Sequence, residues 1–92
     1  MEHEQHHDKY DEMFEHLKEE MEDACEYLKE SEAADEMGLT YIAKGLRDIA
    51  MEEYTHAKFF RNYLMMKHVY HDHEHHNELE EKWKKLEHRM FE

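Results

Sequence analysis

The chain has 92 residues, a formal net charge of −13, no proline, two glycines and a single cysteine. That length holds one small domain whose core is near the lower size limit, and the acidic balance argues against nucleic acid and anionic membranes, whose phosphates reward basic patches. The lone Cys25 excludes an internal disulfide framework and a four-cysteine iron centre. No run approaches the roughly 18 apolar residues of a membrane span and no signal peptide is read, so no membrane association and a cytoplasmic location are the expectations.

A chain with 40% charged residues, rich in Glu, Lys, Leu, Met and Ala and nearly free of breakers, reads as all-α. The first helix is expected over about 8–37, with Phe14, Leu17, Met21, Ala24, Leu28 and Ser31 spaced alternately by three and four. Glu20 sits on the flank of that seam, between Leu17 and Ala24, with Tyr27 further along; Asp23 is the next-best carboxylate. Gly38 suits the residue after a helix C-terminus, where positive φ is wanted. The second helix is expected over about 40–70, with the stripe Ile42, Leu46, Ile49, Glu53, His56, Phe60 and Tyr63 as its seam. Gly45 inside it either permits a close helix contact or is incidental. Residues 71–77 are expected to form a histidine-rich turn. A short third helix, about 78–91, carries Leu79, Trp83, Leu86 and Met90.

Two helices joined so closely fold back as an antiparallel hairpin. A hairpin leaves apolar surface over, and the third helix is too short to cover it. The expectation is therefore dimerisation into a four-helix bundle, or a higher homo-oligomer.

Glu53-Tyr54-Thr55-His56 is the chemically informative segment. A carboxylate and an imidazole stand where the stripe calls for Leu or Phe, and burying an unpaired carboxylate costs several kcal/mol. Positions i and i+3 share a helix face, so a divalent metal is the economical partner. Two alternatives are a buried hydrogen-bonded pair and a helix rotated to put both groups at the edge of its stripe. Glu4-Gln5-His6-His7 repeats the pattern without an apolar frame. With Glu20, one chain offers three ligands. A dinuclear carboxylate site in a four-helix bundle uses one Glu from each of two helices and an E-x-x-H from each of the other two. A two-fold axis would supply the second three ligands, Glu53 and its mate spanning the two ions. Iron, manganese and zinc all suit carboxylate and imidazole.

Glu20, Tyr27, Gly38, Ile42-Ala43, Ala50, and Glu53-x-x-His56 followed by Ala57 together resemble the first helical hairpin of rubrerythrin and other ferritin-like proteins. The resemblance runs from Glu20 to His56. It implies a ferritin-like fold, a di-iron site held by Glu20, Glu53 and His56, and a nearby tyrosine at Tyr27. Rubrerythrin carries four helices in one chain together with a rubredoxin domain; this chain has the first pair. In this it is similar to half-length encapsulated ferritins, which build the site across a dimer. No cargo-targeting tail is read after Phe91.

Other features read more blandly. The histidines at positions 3, 6, 7, 68, 71, 73, 75 and 76 suggest either a weak surface metal or entry site, with His71 and His75 chelating if helical, or a solvated linker. The methionines, including Met13, Met37, Met51, Met65, Met66 and Met90, read as core or interface filler. The functional expectation is a ferroxidase, oxidising Fe(II) at a dinuclear centre shared by two chains, with a shell or a separate electron donor as a partner. Peroxide scavenging in the manner of rubrerythrin, a metal buffer or carrier, and a structural helical dimer are the alternatives.

Overall fold

The computed structural model describes residues 2–92, with side chains from Lys9 onward. Three helices follow one another: α1 (Glu2–Glu36), α2 (Thr40–Met66) and α3 (His76–Phe91). His3, His6 and His7, and with them the Glu4-to-His7 match, lie outside the residues whose side chains are described.

Both long helices end in the same way. At the end of α1, Gly38 takes φ 79°, its N–H donates to the Asp35 carbonyl, and the Leu39 N–H reaches back to Ala34. This is the Schellman closure, which satisfies carbonyls that a helix end leaves open. At the end of α2, the His68 N–H donates to Met65 and the Val69 N–H to Leu64. His68 occupies the left-handed position, at φ 61°. That conformation costs an L-residue roughly 1–2 kcal/mol, and Val69, packed against the core, helps offset it. The second helix thus stops at Met66, not at about 70. The reason is a closure made without glycine. The histidine-rich segment that follows is a series of turns, and α3 starts at His76.

Phe14, Leu17, Met21, Ala24, Leu28 and Ser31 are all buried, the seam the spacing predicts for α1. On α2 the outcome differs. Within one chain, the row facing α1 is Ala43, Ala50, Ala57 and Leu64, each seven residues from the next and all buried. The neighbouring row, Leu46, Glu53 and Phe60, is half-buried, and in the next row Ile42, Ile49 and His56 are exposed. The predicted stripe is therefore the shoulder of α2. The physical reason is size: α1 supplies bulky side chains, and a row of alanines lets the helices approach over them. Ser31 joins this contact by donating its hydroxyl to the Ala43 carbonyl at 2.8 Å. At Gly45, by contrast, a Cβ would meet open space, so no contact within the chain requires that glycine.

α3 runs back along one flank of the hairpin and buries Leu79, Trp83, Leu86 and Met90. It touches both long helices, through Trp83 on Tyr54 of α2 and Arg89 on Glu32 of α1. Trp83 stacks on Tyr54 with ring centres 5.0 Å apart, and Tyr54 donates to Glu87 at 2.9 Å. Arg61 holds both oxygens of Glu80, at 2.9 and 2.7 Å, and lies over the rings of Trp83 and Tyr70. The buried Tyr70 hydroxyl donates to the same carboxylate at 2.7 Å. Burial pushes the Glu80 carboxyl up, but the hydrogen bonds from Arg61 and Tyr70 outweigh it and hold it below the ordinary value. Burial and the bond to Glu80 push the Tyr70 hydroxyl up to about 12. Among the described residues no helix is long and apolar enough to cross a membrane.

Replacing Trp83 by alanine should lower unfolding free energy by about 3–5 kcal/mol, the usual cost of removing a large buried aromatic; denaturant titration followed by circular dichroism measures it. Glu80 has a depressed folded pKa, so its contribution is present above the ordinary value of 4.5 and is lost as pH falls through the lower folded value. Glu80→Gln should therefore melt earlier near neutrality, and the gap to the parent should close in acid.

Candidate metal centre

Glu20 on α1 and Glu53 on α2 occupy matching places. Each belongs to the half-buried row flanking its helix's seam: Met13, Glu20 and Tyr27 on one side, Leu46, Glu53 and Phe60 on the other. Once the alanine row has drawn the helices together, these shoulders meet. His56, one turn beyond Glu53, closes the group. Its Nδ1 lies 3.3 Å from Glu53 Oε1 and 3.6 Å from Glu20 Oε2. One donor atom from each of the three residues lies within 4.8 Å of the others.

The two carboxylates are largely shielded, with 24% and 21% of their side chains exposed, whereas the imidazole keeps 58%. The cluster is therefore open on the His56 side. α3 does not cover it, because its partners Tyr54, Arg61 and Glu32 lie across the hairpin seam from this flank. Burial raises the Glu20 carboxyl above its ordinary value. The charge of Glu53 and a hydrogen bond with it raise it further, with Asp23 adding a little and His56 opposing.

The donor set fits a transition-metal ion. Two carboxylates and an imidazole are the ligands that iron, manganese and zinc accept. An added cation would also remove the like-charge repulsion between Glu20 and Glu53. Three ligands leave positions open, and the open side faces away from the chain.

The remaining candidates fall outside this group. Asp23 is exposed and acts on Glu20 only through its charge. Tyr27 is half-buried, seven residues after Glu20, and packs against the core. His16 was not singled out by the sequence. Its ring stacks on Phe60 at 5.2 Å, bridging the two shoulders beside the cluster. The only sequence signal was its place four residues before Glu20 in a chain with 11 histidines. In the turn, His71 does not pair with His75. The segment is not helical, and His71 lies 5.3 Å from His76 while His73 lies 5.7 Å from His75, between ring centres.

Fold and site together define a helical hairpin, clamped by a third helix, with a carboxylate–imidazole cluster on its uncovered flank. Comparisons with protein-family models, curated proteins and solved structures find no match.

A raised carboxyl favours the fold below its unfolded pKa, and that contribution is lost as pH rises through the folded value. In the metal-free protein at neutral pH, Glu20 is thus a net burden. Glu20→Gln should raise the melting temperature of the metal-free chain, and the difference from the parent should shrink as pH falls through the folded pKa of Glu20. Thermal melts with chelator present, across the acid range, measure both.

Proposed function

We propose that the chain is a ferritin-like metal-binding protein in which two copies hold a dinuclear centre and oxidise Fe(II). The observation that carries this reading is the convergence of Glu20, Glu53 and His56 on a flank that the chain leaves uncovered. Three ligands are half of the set that a dinuclear carboxylate site in a four-helix bundle uses.

The surface around the cluster supports pairing with a second copy. Ile42, Ile49, His56 and Tyr63 form one row at seven-residue spacing, with Ile42 52% and Ile49 39% exposed. Covering the Ile42–Tyr63 row would bury apolar area and bring a second Glu20, Glu53 and His56 to the open side of the first three. It would also complete a bundle of four long helices around the ions.

The residues would divide the work by chemistry. Glu20 and Glu53 bind Fe(II) as anionic oxygen ligands and offset the extra positive charge of the ferric product. The exposed imidazole of His56 supplies the nitrogen ligand nearest solvent and can turn to admit an ion. Tyr27 stands one heptad from Glu20, where its hydroxyl would bond a ligand water or supply an electron to a stray oxidant. Each Fe(II) gives one electron to O₂ or peroxide, and the neighbouring pair lets one oxidant take two. A storage function would require a shell or larger oligomer around this dimer.

Anaerobic Fe(II) loading followed by native mass spectrometry tests the reading. The expected result is a dimer with two iron ions, both lost in Glu53→Ala, and Fe(II)-dependent oxygen consumption by the parent alone. Ile49→Asp should give a monomer that keeps its helical signal and binds iron at least about tenfold more weakly, a loss of roughly 1.4 kcal/mol. Iron retained by Glu53→Ala would point to a carrier using other histidines. No iron in the parent would leave a structural helical dimer.

A further inference from the structure

The nine residues between α2 and α3 include four histidines, and the structure gives their rings different roles. His73 is committed to the fold. Its ring stacks on Phe14 at 3.9 Å between centres, and its Nδ1 accepts the His75 N–H at 3.1 Å. A neutral imidazole accepting at Nδ1 carries its proton on Nε2, so neither nitrogen has a free lone pair for an ion.

His71 and the first residue of α3, His76, are placed differently. Their ring centres are 5.3 Å apart and their planes are at 83°. Both rings stand edge-on to Tyr70, at 5.4 and 6.2 Å. Tyr70 is 1% exposed and is fixed from both sides, by its hydrogen bond to Glu80 and by Arg61 over its ring. The turn itself is tied by the His73 N–H to the Tyr70 carbonyl and the His76 N–H to the His73 carbonyl. Two imidazoles are thus held on a rigid platform by a closed backbone. An ion bound to two imidazole nitrogens at about 2.0–2.1 Å, near the tetrahedral angle, places the ring centres about 5 Å apart.

We propose that His71 and His76 form a second metal site, a two-imidazole clamp for Zn²⁺, distinct from the Glu20–Glu53–His56 cluster. The remaining positions on the ion are open to water, since no third ligating side chain converges on the two rings among the described residues. The positive end of α3 works against a cation here, and the carboxylates of Asp72, Glu74 and Glu78 around the turn supply the opposing charge. Nothing in this clamp depends on the iron reading. The two sites share no ligand: one is built from α1 and α2, the other from the turn after α2 and the first residue of α3.

The competing account is an aromatic trio in which Tyr70, His71 and His76 pack edge to face and bind nothing. Calorimetric titration of the full chain with Zn²⁺, above the imidazole pKa range, separates the two. In the Glu53→Ala background a zinc equivalent per chain should remain. Adding His71→Gln and His76→Gln should weaken it by about a hundredfold, the loss expected when a two-point attachment is broken. The control His75→Gln, at an exposed ring that the turn does not pack, should not change it. Zinc affinity unchanged by the His71 and His76 substitutions, or lowered equally by the His75 control, overturns the clamp. Imidazole ¹⁵N spectra of the unaltered protein with excess Zn²⁺ decide the same question without a variant that must fold. Zinc-type shifts are expected at both His71 and His76, and either ring left unshifted overturns the proposal.

Discussion

Ala43, Ala50 and Ala57 leave the inner side of α2 almost flat, and Phe14, Leu17, Met21 and Leu28 of α1 fill the space over it. Small residues at a helix contact favour the short end of the usual interaxial range, about 8–10 Å. Everything at the site follows from that approach. With leucines in the alanine row, the shoulders carrying Glu20 and Glu53 would stand further apart, and His56 could not face both carboxylates. The Ser31 hydroxyl on the Ala43 carbonyl fixes the register at the hairpin end, so that Glu20 meets Glu53 and not a residue one turn away.

The same contact makes the molecule lopsided. α3 seals one flank through Trp83 on Tyr54 and the Arg61–Glu80–Tyr70 group. These are partly shielded charges with several hydrogen bonds each, the condition under which an ion pair is worth keeping. The other flank has no such cover. There Ile42 and Ile49 stay in contact with water beside the carboxylate–imidazole cluster. A bundle measuring 55 × 19 × 17 Å is only about two helix diameters across, so a third element on one side cannot reach the other. The asymmetry follows from that width, since α3 lies along one flank alone.

How much of this was legible depends on what each residue type announces. The α1 seam was readable because its large residues recur at helical spacing and nothing competes with them. On α2 the row of alanines competes with a stripe of isoleucines, tyrosine and histidine one row further round, beyond Leu46, Glu53 and Phe60, and hydrophobicity favours the wrong one. Alanine carries little apolar area, so its row is visible only when the bulk of the facing helix is taken into account. Gly38 announced the first helix end. His68 did not announce the second, because the identical closure was made by a residue that seldom adopts positive φ. Glu20, Glu53 and His56 were found by position relative to an apolar frame, which survives a rotation of the helix by one row. The Arg61–Glu80–Tyr70 group and the His71–His76 pair were not visible, since both are made by chain segments brought together only in the folded turn.

The site's position at a shoulder has an energetic logic. Deep in the seam, Glu20 and Glu53 would each lose several kcal/mol of hydration with no room for an ion; on the open surface they would be screened and hold a cation weakly. At the shoulder they are shielded enough for the Glu20 carboxyl to be raised, yet reachable through the exposed edge of His56. The metal-free chain therefore carries a like-charge strain of modest size. An ion relieves it, and so does protonation. A second copy meeting the first without an ion would bring two more carboxylates to the same place and double the repulsion. On the proposed reading, cation binding and pairing are therefore coupled, each favouring the other, because the apolar row draws the copies together only as far as the four carboxylates are neutralised.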